Sequence, residues 1–379
     1  MRTLLLVIGL LFCCIETYPQ ESTAKELRAV MNRHMDCSGK KPVCSFLLFL
    51  KNGKTGFTFN EGLGIVGRND HPVNASYQYN VASITKTLVS TIVLQLFEEE
   101  KLGIDDFIKN YLETVDFVRY DELHIYKGKK YQDTLTTEML LNHTSGIADV
   151  FVDAETRFNL SVLFHPKRQY TAQKFYKRYF RYNLNKKPAN IPGKGYHYSD
   201  INYMLLGFII EKIEKKPLAE VIRERILTPL DLKNTYFEYY EEERGAGKRI
   251  DAFLNRINIT KRINTSYEWG GGGIVSTAED MAIFIEALFN MELFKDRTTL
   301  KRMIDISKTT AYDKSYGLGI YKWELDGKVF YGHGGFYGSI LAYSPEHQIT
   351  ISSNIGQSSP PFNSSVLVDK IIQIGSKDP

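Results

Sequence analysis

The chain has 379 residues, of which 43% are hydrophobic and 24% are charged. This composition is that of an ordinary globular protein with enough apolar residues for a core, which argues against an intrinsically disordered chain. The formal net charge of +4 is small for this length, and no tail of a single sign occurs. The charge therefore gives no reason to expect a nucleic-acid partner.

The first twenty residues have the pattern of a secretory signal peptide. Arg2 is followed by about eleven apolar residues, a run that is too short to span a bilayer. Lipid attachment at Cys13 or Cys14 is disfavoured, because the residues before them are not the small ones that such processing prefers. We expect residues 1–20 to be removed, which leaves a secreted or periplasmic protein without a transmembrane span.

Two cysteines remain after this segment, Cys37 and Cys44. In an oxidising compartment they could form a local disulfide, but two unpaired cysteines fit the sequence equally well, because spacing alone does not show whether the geometry permits a bond. No Cys/His cluster has the spacing of zinc ligands, so we predict no metal site and no cofactor.

Both ends of the remaining chain predict strands and helices in alternation. Residues 25–35 predict an amphipathic helix, and "CSFLLFLKNGKTGFTFNEGLGIVG" predicts two or three strands with an Asn-Gly turn at Asn52 and Gly53. Near the other end, "SYGLGIYKWELDGKVFYGHGG" and "GSILAYSPEHQITISSNIG" predict antiparallel strands, and "SSVLVDKIIQIG" predicts a closing helix. Strands at both ends imply one sheet that is assembled from both termini.

The middle of the chain is dominated by helical periodicity, from about residue 84 to 264. We therefore predict an α+β fold: an antiparallel sheet flanked by N- and C-terminal helices, with an inserted, mostly helical lobe. Within a single domain at 21–379, the sheet lobe would comprise about 21–82 and 265–379, and the helical lobe about 83–264. A cleft between two such lobes is a natural place for a site.

A Ser-x-x-Lys pair, Ser83 and Lys86, lies at the head of one of the most apolar of these helices. The pattern alone is weak, because it also occurs at Ser22 and at Ser38. On a helix, however, positions i and i+3 lie about 5–6 Å apart at Cβ, so this lysine can reach this hydroxyl. A lysine on an enclosed helix is costly unless its charge is partnered or suppressed, and suppression makes it a general base. The structural alternative is that Ser83 caps the helix while Lys86 extends outward.

Two further motifs follow in the chain. "GYHYSDINYMLLGFIIEKI" places Tyr198 and Asp200 just before a helix, and "FYGHGGFYGS" places His333, Gly334 and Gly335 at the start of a predicted strand. In isolation, each has an ordinary structural explanation: a packing tyrosine, a turn histidine, and glycines at a bend.

In this order, Ser-x-x-Lys, a Tyr-x-Asn-like and a Lys-Thr-Gly-like motif, the chain resembles the serine β-lactamase and penicillin-binding-protein superfamily. It is most similar to the branch with class C β-lactamases, DD-peptidases, D-aminopeptidases and esterases. The segments "LLNHTSGI", "LTPLDLKNTYF", "GGGGIVSTAEDMAIF" and "YGLG" also resemble that branch. The resemblance extends from about residue 25 to 375.

The resemblance implies a role for each motif. Ser83 would be the acylated nucleophile, Lys86 would help to deprotonate it, and Tyr198 would shuttle the proton to the leaving group. His333 stands where many relatives have the lysine of Lys-Thr-Gly. The backbone N–H groups of Ser83 and Phe336 would form the oxyanion hole.

The same correspondence gives a binding role to the residues beside these groups. Gly334 and Gly335 would let the substrate approach the strand edge, since they carry no side chain. Asp200 stands where the best-known relatives have asparagine, and a carboxylate near Lys86 would favour the ammonium form and weaken this lysine as a base. Alternatively, Asp200 faces the substrate and pairs with a cationic group such as a free amine.

These departures decide which activity we expect. A lysine at position 333 would hold the carboxylate of a β-lactam with a permanent positive charge. His333 carries a positive charge only when it is protonated, so this interaction would depend on pH. We therefore expect an exported serine hydrolase acting on D-amino-acid peptides, small amides or esters. The alternatives are a β-lactamase proper, or a non-catalytic envelope protein that keeps the fold and binds a peptide or antibiotic as a sensor or scaffold.

Two remaining features are interpreted as structural. His143 lies beside a serine in "LNHTSG", which could suggest a catalytic pair. The family resemblance instead makes this segment a structural element of the helical lobe. Residues 167–187 carry eight basic residues and no acid. This segment predicts a solvated helix face, with contact to an anionic cell-envelope polymer as the alternative.

Overall fold

The computed structural model describes residues 20–67, 71–245 and 247–377. Almost all of the predicted signal peptide lies outside these residues. The helix that opens the described fold, α1, comprises residues 20–34. Within the described ranges, every helix is too short or too polar to cross a bilayer.

The strands form one large sheet and three small ones. In chain order they are β1 (Ser45–Asn52), β2 (Phe57–Val66), β3 (His71–Pro72), β4 (Tyr79–Asn80), β5 (Ile125–Tyr126), β6 (Lys129–Lys130), β7 (Tyr236–Phe237), β8 (Phe253–Leu254), β9 (Ile257–Asn258), β10 (Ile274–Ser276), β11 (Tyr321–Leu325), β12 (Lys328–Gly335), β13 (Ser339–Ser344) and β14 (Ile349–Asn354). The large sheet has seven strands in the order β11-β12-β13-β14-β1-β2-β3. Strand β1 pairs antiparallel with β2 on one side and with β14 on the other, as a sheet assembled from both ends of the chain requires.

The remaining helices follow in the order α2 (Thr85–Glu98), α3 (Lys109–Leu112), α4 (Thr137–Leu141), α5 (Glu155–Phe164), α6 (Ala172–Arg181), α7 (Asp200–Glu214), α8 (Leu218–Ile222), α9 (Ile259–Arg262), α10 (Trp269–Gly272), α11 (Ala278–Phe289), α12 (Arg297–Ile304), α13 (Ser307–Thr310) and α14 (Ser364–Gly375). A π-helical turn, Arg223–Leu227, continues α8, and several 3-10 turns connect the elements. Most of the elements between residues 83 and 264 are helical, so the predicted α+β architecture is confirmed.

Both faces of the large sheet are covered, which explains why β1 is apolar along most of its length. Leu48 on one face belongs to a core shared with α1 and α14. Leu47 on the other face belongs to the larger core, which continues through α11 into the helical lobe. Successive side chains of β1 point to opposite faces of the sheet, so this one strand packs against helices on both sides.

Cys37 and Cys44 form a disulfide between the end of α1 and the start of β1. This bond decides between the two interpretations that the sequence left open. It also ties the opening helix to the central strand of the sheet, and its presence fits an oxidising compartment.

Candidate active site

Ser83 lies on a tight turn rather than at a helix cap. The 3-10 turn Ala82–Ile84 leads into α2, and Ala82 has a left-handed φ of 50°. The N-cap position of α2 is Ile84, and no side chain caps this helix. The interpretation of Ser83 as an N-cap is therefore wrong, because its hydroxyl is not bound to the helix backbone and remains available at the half-buried turn.

The Lys86 side chain is fully buried one helical turn away. Its Nζ donates to Ser83 Oγ at 3.1 Å, to Asp200 Oδ1 at 2.5 Å and to the Gly271 carbonyl at 2.7 Å. An ammonium group has three donors, and each has an acceptor here. The otherwise apolar helix can bury this lysine because a carboxylate balances its charge and a hydroxyl and a carbonyl complete its hydrogen bonds.

Asp200 is the first residue of α7 and is oriented by a second, buried carboxylate. Its backbone N–H donates to Asp149 Oδ2 at 2.6 Å. Asp149 Oδ1 also accepts the N–H groups of Phe151 at 2.7 Å and Val152 at 3.0 Å. Burial, reinforced by the nearby charge of Asp200, raises the pKa of Asp149 to about 7. Asp149 thus connects the start of α7 to the loop at residues 143–153.

Tyr198 brings a buried phenol to the same place. Its hydroxyl oxygen lies beside the Ser83 side chain and makes no hydrogen bond of normal distance and angle with a described residue. Burial raises the pKa of this phenol well above 10, whereas the neighbouring Ser83 hydroxyl lowers it. Lys86 Nζ lies 4.9 Å from the centre of the Tyr198 ring. The phenol therefore stays protonated and is free to donate to a bound substrate.

The backbone around Tyr198 is held by the loop at residues 143–153. The N–H of His197 donates to the His143 carbonyl at 2.9 Å, and the N–H of Ser199 donates to His143 Nδ1 at 3.1 Å. The His197 ring contacts Asp153 Oδ2 at 2.7 Å. The ring of His143 itself lies 4.1 Å from that of Tyr198, centre to centre. His143 contacts Tyr198 and has no recorded hydrogen bond to Ser83, which agrees with its predicted structural role.

His333 is a neutral, buried residue. Its Nδ1 contacts the Gly334 carbonyl at 2.7 Å, and its Nε2 contacts the Tyr316 hydroxyl at 3.0 Å. A carbonyl only accepts, so Nδ1 carries the proton and Nε2 accepts from the tyrosine. Burial, reinforced by the charge of Lys86, lowers the pKa of His333 to about 3. The imidazole therefore offers no positive charge to a substrate near neutral pH.

His333, Gly334 and Gly335 end a strand, β12, whereas the sequence predicted that they begin one. The reason is the following turn: Gly335 pairs with Ser339 at the start of β13. A Cβ at Gly335 would meet the Val81 carbonyl oxygen at 2.3 Å, so glycine allows this strand to approach the Ser83 turn. A Cβ at Gly334 would meet only one atom, Ser339 O at 3.8 Å, so one side of this residue is open.

The two predicted oxyanion donors lie on these neighbouring segments, Ser83 on its turn and Phe336 directly after β12. In the turns, loops and helix caps of the described residues, no backbone carbonyl accepts a hydrogen bond from either N–H. The Phe336 side chain is 57% exposed at the edge of the site.

Sequence reasoning missed the carboxyl groups around the site. These groups are Asp149, Asp153 and Glu268. Glu268 interacts electrostatically with Asp200 and Lys86, and it accepts a hydrogen bond from the Tyr337 hydroxyl. Burial raises the pKa of Glu268 to about 8. No motif marks these residues, although Asp149 and Asp153 do follow the "HTSGI" segment. In the part of the chain that the structure describes, no group of three or more His, Cys, Asp or Glu side chains is arranged to hold a metal ion.

Comparisons with known proteins agree with this geometry. The family model "Beta-lactamase" matches residues 51–362. A putative D-alanyl-D-alanine carboxypeptidase from Salmonella paratyphi A is 27% identical over 330 residues, covering 74% of this chain and 70% of the relative.

Solved structures share the fold. A D-stereospecific amidohydrolase from a Streptomyces species has a TM-score of 0.71 at 24% identity, covering 88% of this chain and 94% of that one. The D-amino acid amidase from Ochrobactrum anthropi SV3 complexed with L-phenylalanine amide has a TM-score of 0.74 at 21% identity, covering 94% and 96%. Together with the family match, which covers most of the chain, these findings show that the protein belongs to the Beta-lactamase family and is a serine hydrolase.

Proposed function

We propose that the protein is an exported hydrolase that works through an acyl-enzyme on Ser83 and acts on D-amino-acid peptides or amides. The observation that carries the proposal is the position of Lys86 Nζ, 3.1 Å from Ser83 Oγ, in a site where Tyr198 has a free hydroxyl. A nucleophile, a base and a proton donor are therefore adjacent, which is what acyl transfer to serine requires.

The proton path starts at the pair of Lys86 and Asp200. When the proton between Nζ and Oδ1 resides on the carboxylate, the amine has a lone pair that can accept the Ser83 proton. Ser83 Oγ then bonds to the substrate carbonyl carbon, and the Tyr198 phenol gives its proton to the leaving amine as the C–N bond breaks. The Lys86 ammonium returns a proton to Tyr198, and water releases the acid from Ser83 in the second half of the reaction.

The predicted oxyanion hole would complete the acyl-transfer site. The N–H groups of Ser83 and Phe336 lie on segments that Gly335 brings into contact. Two backbone donors aimed at the developing oxyanion are a large source of rate enhancement in acyl transfer, because they need no reorganisation during the reaction.

The substrate class is supported by the relatives and by the charges of the site. The similar proteins are described as a putative D-alanyl-D-alanine carboxypeptidase, a D-stereospecific amidohydrolase and a D-amino acid amidase. A β-lactamase proper is less well supported, since His333 is neutral and offers no positive charge to the carboxylate of a β-lactam.

The experiment is intact-protein mass spectrometry after incubation with a penicillin. We expect a mass increase of one opened β-lactam that is lost in Ser83→Ala. The matched control is Ser38→Ala, which removes an exposed serine from another Ser-x-x-Lys pattern and should leave the adduct unchanged. Retention of the adduct in Ser83→Ala would refute the assignment of the nucleophile.

The substrate class is tested separately with D- and L-phenylalanine amides, D-alanyl-D-alanine peptides and activated esters. We expect faster turnover of the D-amides and peptides than of the L-amides. Turnover of esters alone would replace the proposed substrate class while leaving Ser83 as the nucleophile. A protein that is neither acylated nor active on any of these compounds would be a binding protein rather than an enzyme.

A further inference from the structure

The most exposed large apolar side chains of the described residues lie together at the end of helix α5. Leu163 and Phe164 are each 72% exposed, and Leu160, one turn earlier on the same face, is 47% exposed. The opposite face of α5 carries the buried Phe158, which packs edge to face on Phe175 of α6 with ring centres 6.1 Å apart. Helix α5 thus presents an apolar face to solvent while its other face anchors it to the protein.

The same part of the chain is strongly basic. Residues 156–199 contain no Asp or Glu and ten Lys or Arg residues, a larger positive charge than the +4 of the whole chain. All of them except the buried Arg178 are exposed, namely Arg157, Lys167, Arg168, Lys174, Lys177, Arg181, Lys186, Lys187 and Lys194. None of the ten forms an ion pair with a described carboxylate within the distance of a salt bridge. Lys167 and Arg157 donate to the backbone carbonyls of Lys261 and Tyr182, which carry no charge, so the positive charge of the exposed residues is not neutralised by a direct partner.

The apolar face and the basic residues belong to one surface. Arg178 of α6 donates to Ser161 of α5 at 2.7 Å, which holds the two helices side by side. Lys167 and Arg168 follow Phe164 within four residues on the connecting loop. We define the α5–α6 surface as Leu160, Leu163 and Phe164 together with the exposed basic residues between 157 and 187.

We propose that the α5–α6 surface binds an anionic lipid bilayer. The basic residues match the negative surface potential of such a membrane, and each one near the surface adds to the attraction. The adjacent Leu163 and Phe164 would enter the boundary between headgroups and acyl chains, as the apolar face of an interfacial helix does. A soluble polyanion would use the charges alone and leave these side chains in water, so the apolar pair favours lipid over polymer.

The test is sedimentation with vesicles, using protein that begins at residue 20, where the described fold begins, so that the apolar segment before it does not bind lipid itself. The protein is produced in a bacterial host, because Asn159 of α5 lies in an Asn-x-Ser sequon and a glycan would cover the surface. We expect binding to phosphatidylcholine vesicles that contain 30% phosphatidylglycerol, little binding to phosphatidylcholine alone, and weaker binding at high salt.

Two pairs of variants separate the contributions. Leu163→Ser with Phe164→Ser, and Lys174→Glu with Lys177→Glu, should each lower the partition coefficient roughly tenfold or more. The matched controls make the same kinds of change elsewhere: Ile283→Ser with Val366→Ser for exposed apolar residues, and Lys295→Glu with Lys301→Glu for exposed charges. Both controls should bind like the wild type.

The proposal is overturned if the wild type does not bind the anionic vesicles, or if the controls lose as much binding as the variants. Binding to soluble dextran sulfate without binding to vesicles would assign the surface to a polymer instead. Sedimentation with vesicles does not depend on catalysis. Ser83→Ala should therefore bind vesicles as the wild type does, even if the proposed hydrolase activity is not found.

Discussion

Lys86 Nζ lies 2.5 Å from Asp200 Oδ1 and 3.1 Å from Ser83 Oγ, so a single ammonium group joins a half-buried carboxylate to the proposed nucleophile. The two charges stabilise each other, because the Lys86 side chain is fully buried and the carboxylate replaces the water that would otherwise solvate it. The carboxylate of Asp200 is therefore engaged by the protein's own lysine, and a substrate amine would have to compete with that lysine for it. The pair sets the protonation state from which catalysis begins.

The change Asp200→Asn should slow the acylation of Ser83. In the proposed proton path the carboxylate takes a proton from Lys86 Nζ, and an amide oxygen cannot hold that proton. We expect kcat/KM to fall about tenfold or more. The measurement is the rate of acylation, with Asp296→Asn as a control at an exposed helix cap. An unchanged rate of acylation would contradict this role of the pair.

The change Tyr198→Phe should remove catalysis without weakening the fold. In the proposed proton path the phenol donates to the leaving group, and a positioned general acid contributes roughly 10²–10⁴-fold to the rate. The ring would still pack on His143, and the lost hydroxyl makes no hydrogen bond of normal geometry with a described residue. We expect kcat for amides to fall by about 10² or more at an unchanged melting temperature. An unchanged kcat would exclude the phenol from the proton path.

The change Asp149→Asn should lower activity by misplacing Asp200. An amide has one acceptor oxygen where the carboxylate uses two, so its NH₂ group would face a backbone N–H. We expect kcat/KM to fall about tenfold through kcat, and the free energy of unfolding to fall by about 2 kcal/mol.

Asp296→Asn is the matched control for this change too, since Asp296 accepts one exposed N–H, that of Thr298, at the start of α12. It should cost less than about 1 kcal/mol and leave kcat unchanged. Equal kinetic effects in the two variants would show that Asp149 has no special relation to the site.

The change His333→Gln should make the protein less sensitive to acid. The pKa of His333 is about 3 in the folded protein, so this residue stays neutral there, whereas an unfolded chain binds its proton near pH 6.5. Its contribution to stability is therefore present above pH 6.5 and is lost as pH falls from 6.5 towards 3. Between pH 7 and pH 5, the wild type should lose about 2 kcal/mol more unfolding free energy than the variant, as measured by urea denaturation. Parallel losses would show that His333 is protonated in the folded state.

Local patterns in the sequence predicted much of the architecture. The apolar run after Lys86 predicted an enclosed helix, and residues such as Leu88, Ile92 and Leu96 are indeed fully buried in α2. Strand patterns near both termini predicted the shared sheet, and β1 pairs with β14. These predictions succeeded because periodicity reports which faces an element must bury, whatever covers them.

Local patterns failed where backbone geometry depends on neighbours. Ser83 looked like a helix cap, but the left-handed Ala82 before it places it on a separate turn. His333 and the glycines after it looked like the start of a strand, because glycine carries no pattern that distinguishes the first residues of a strand from the last. The pairing of Gly335 with Ser339 decided the question.

The residue types of the site and their order along the chain could be read from the amino-acid sequence alone. The charges and partners of these residues follow from the folded structure. Asp200 reaches Lys86 across 114 positions, and the Gly271 carbonyl reaches it across 185. The neutrality of His333 depends on burial and on Lys86, and the orientation of Asp200 depends on Asp149. Desolvation and hydrogen bonding act through space, so protonation states belong to the assembled site and not to any motif.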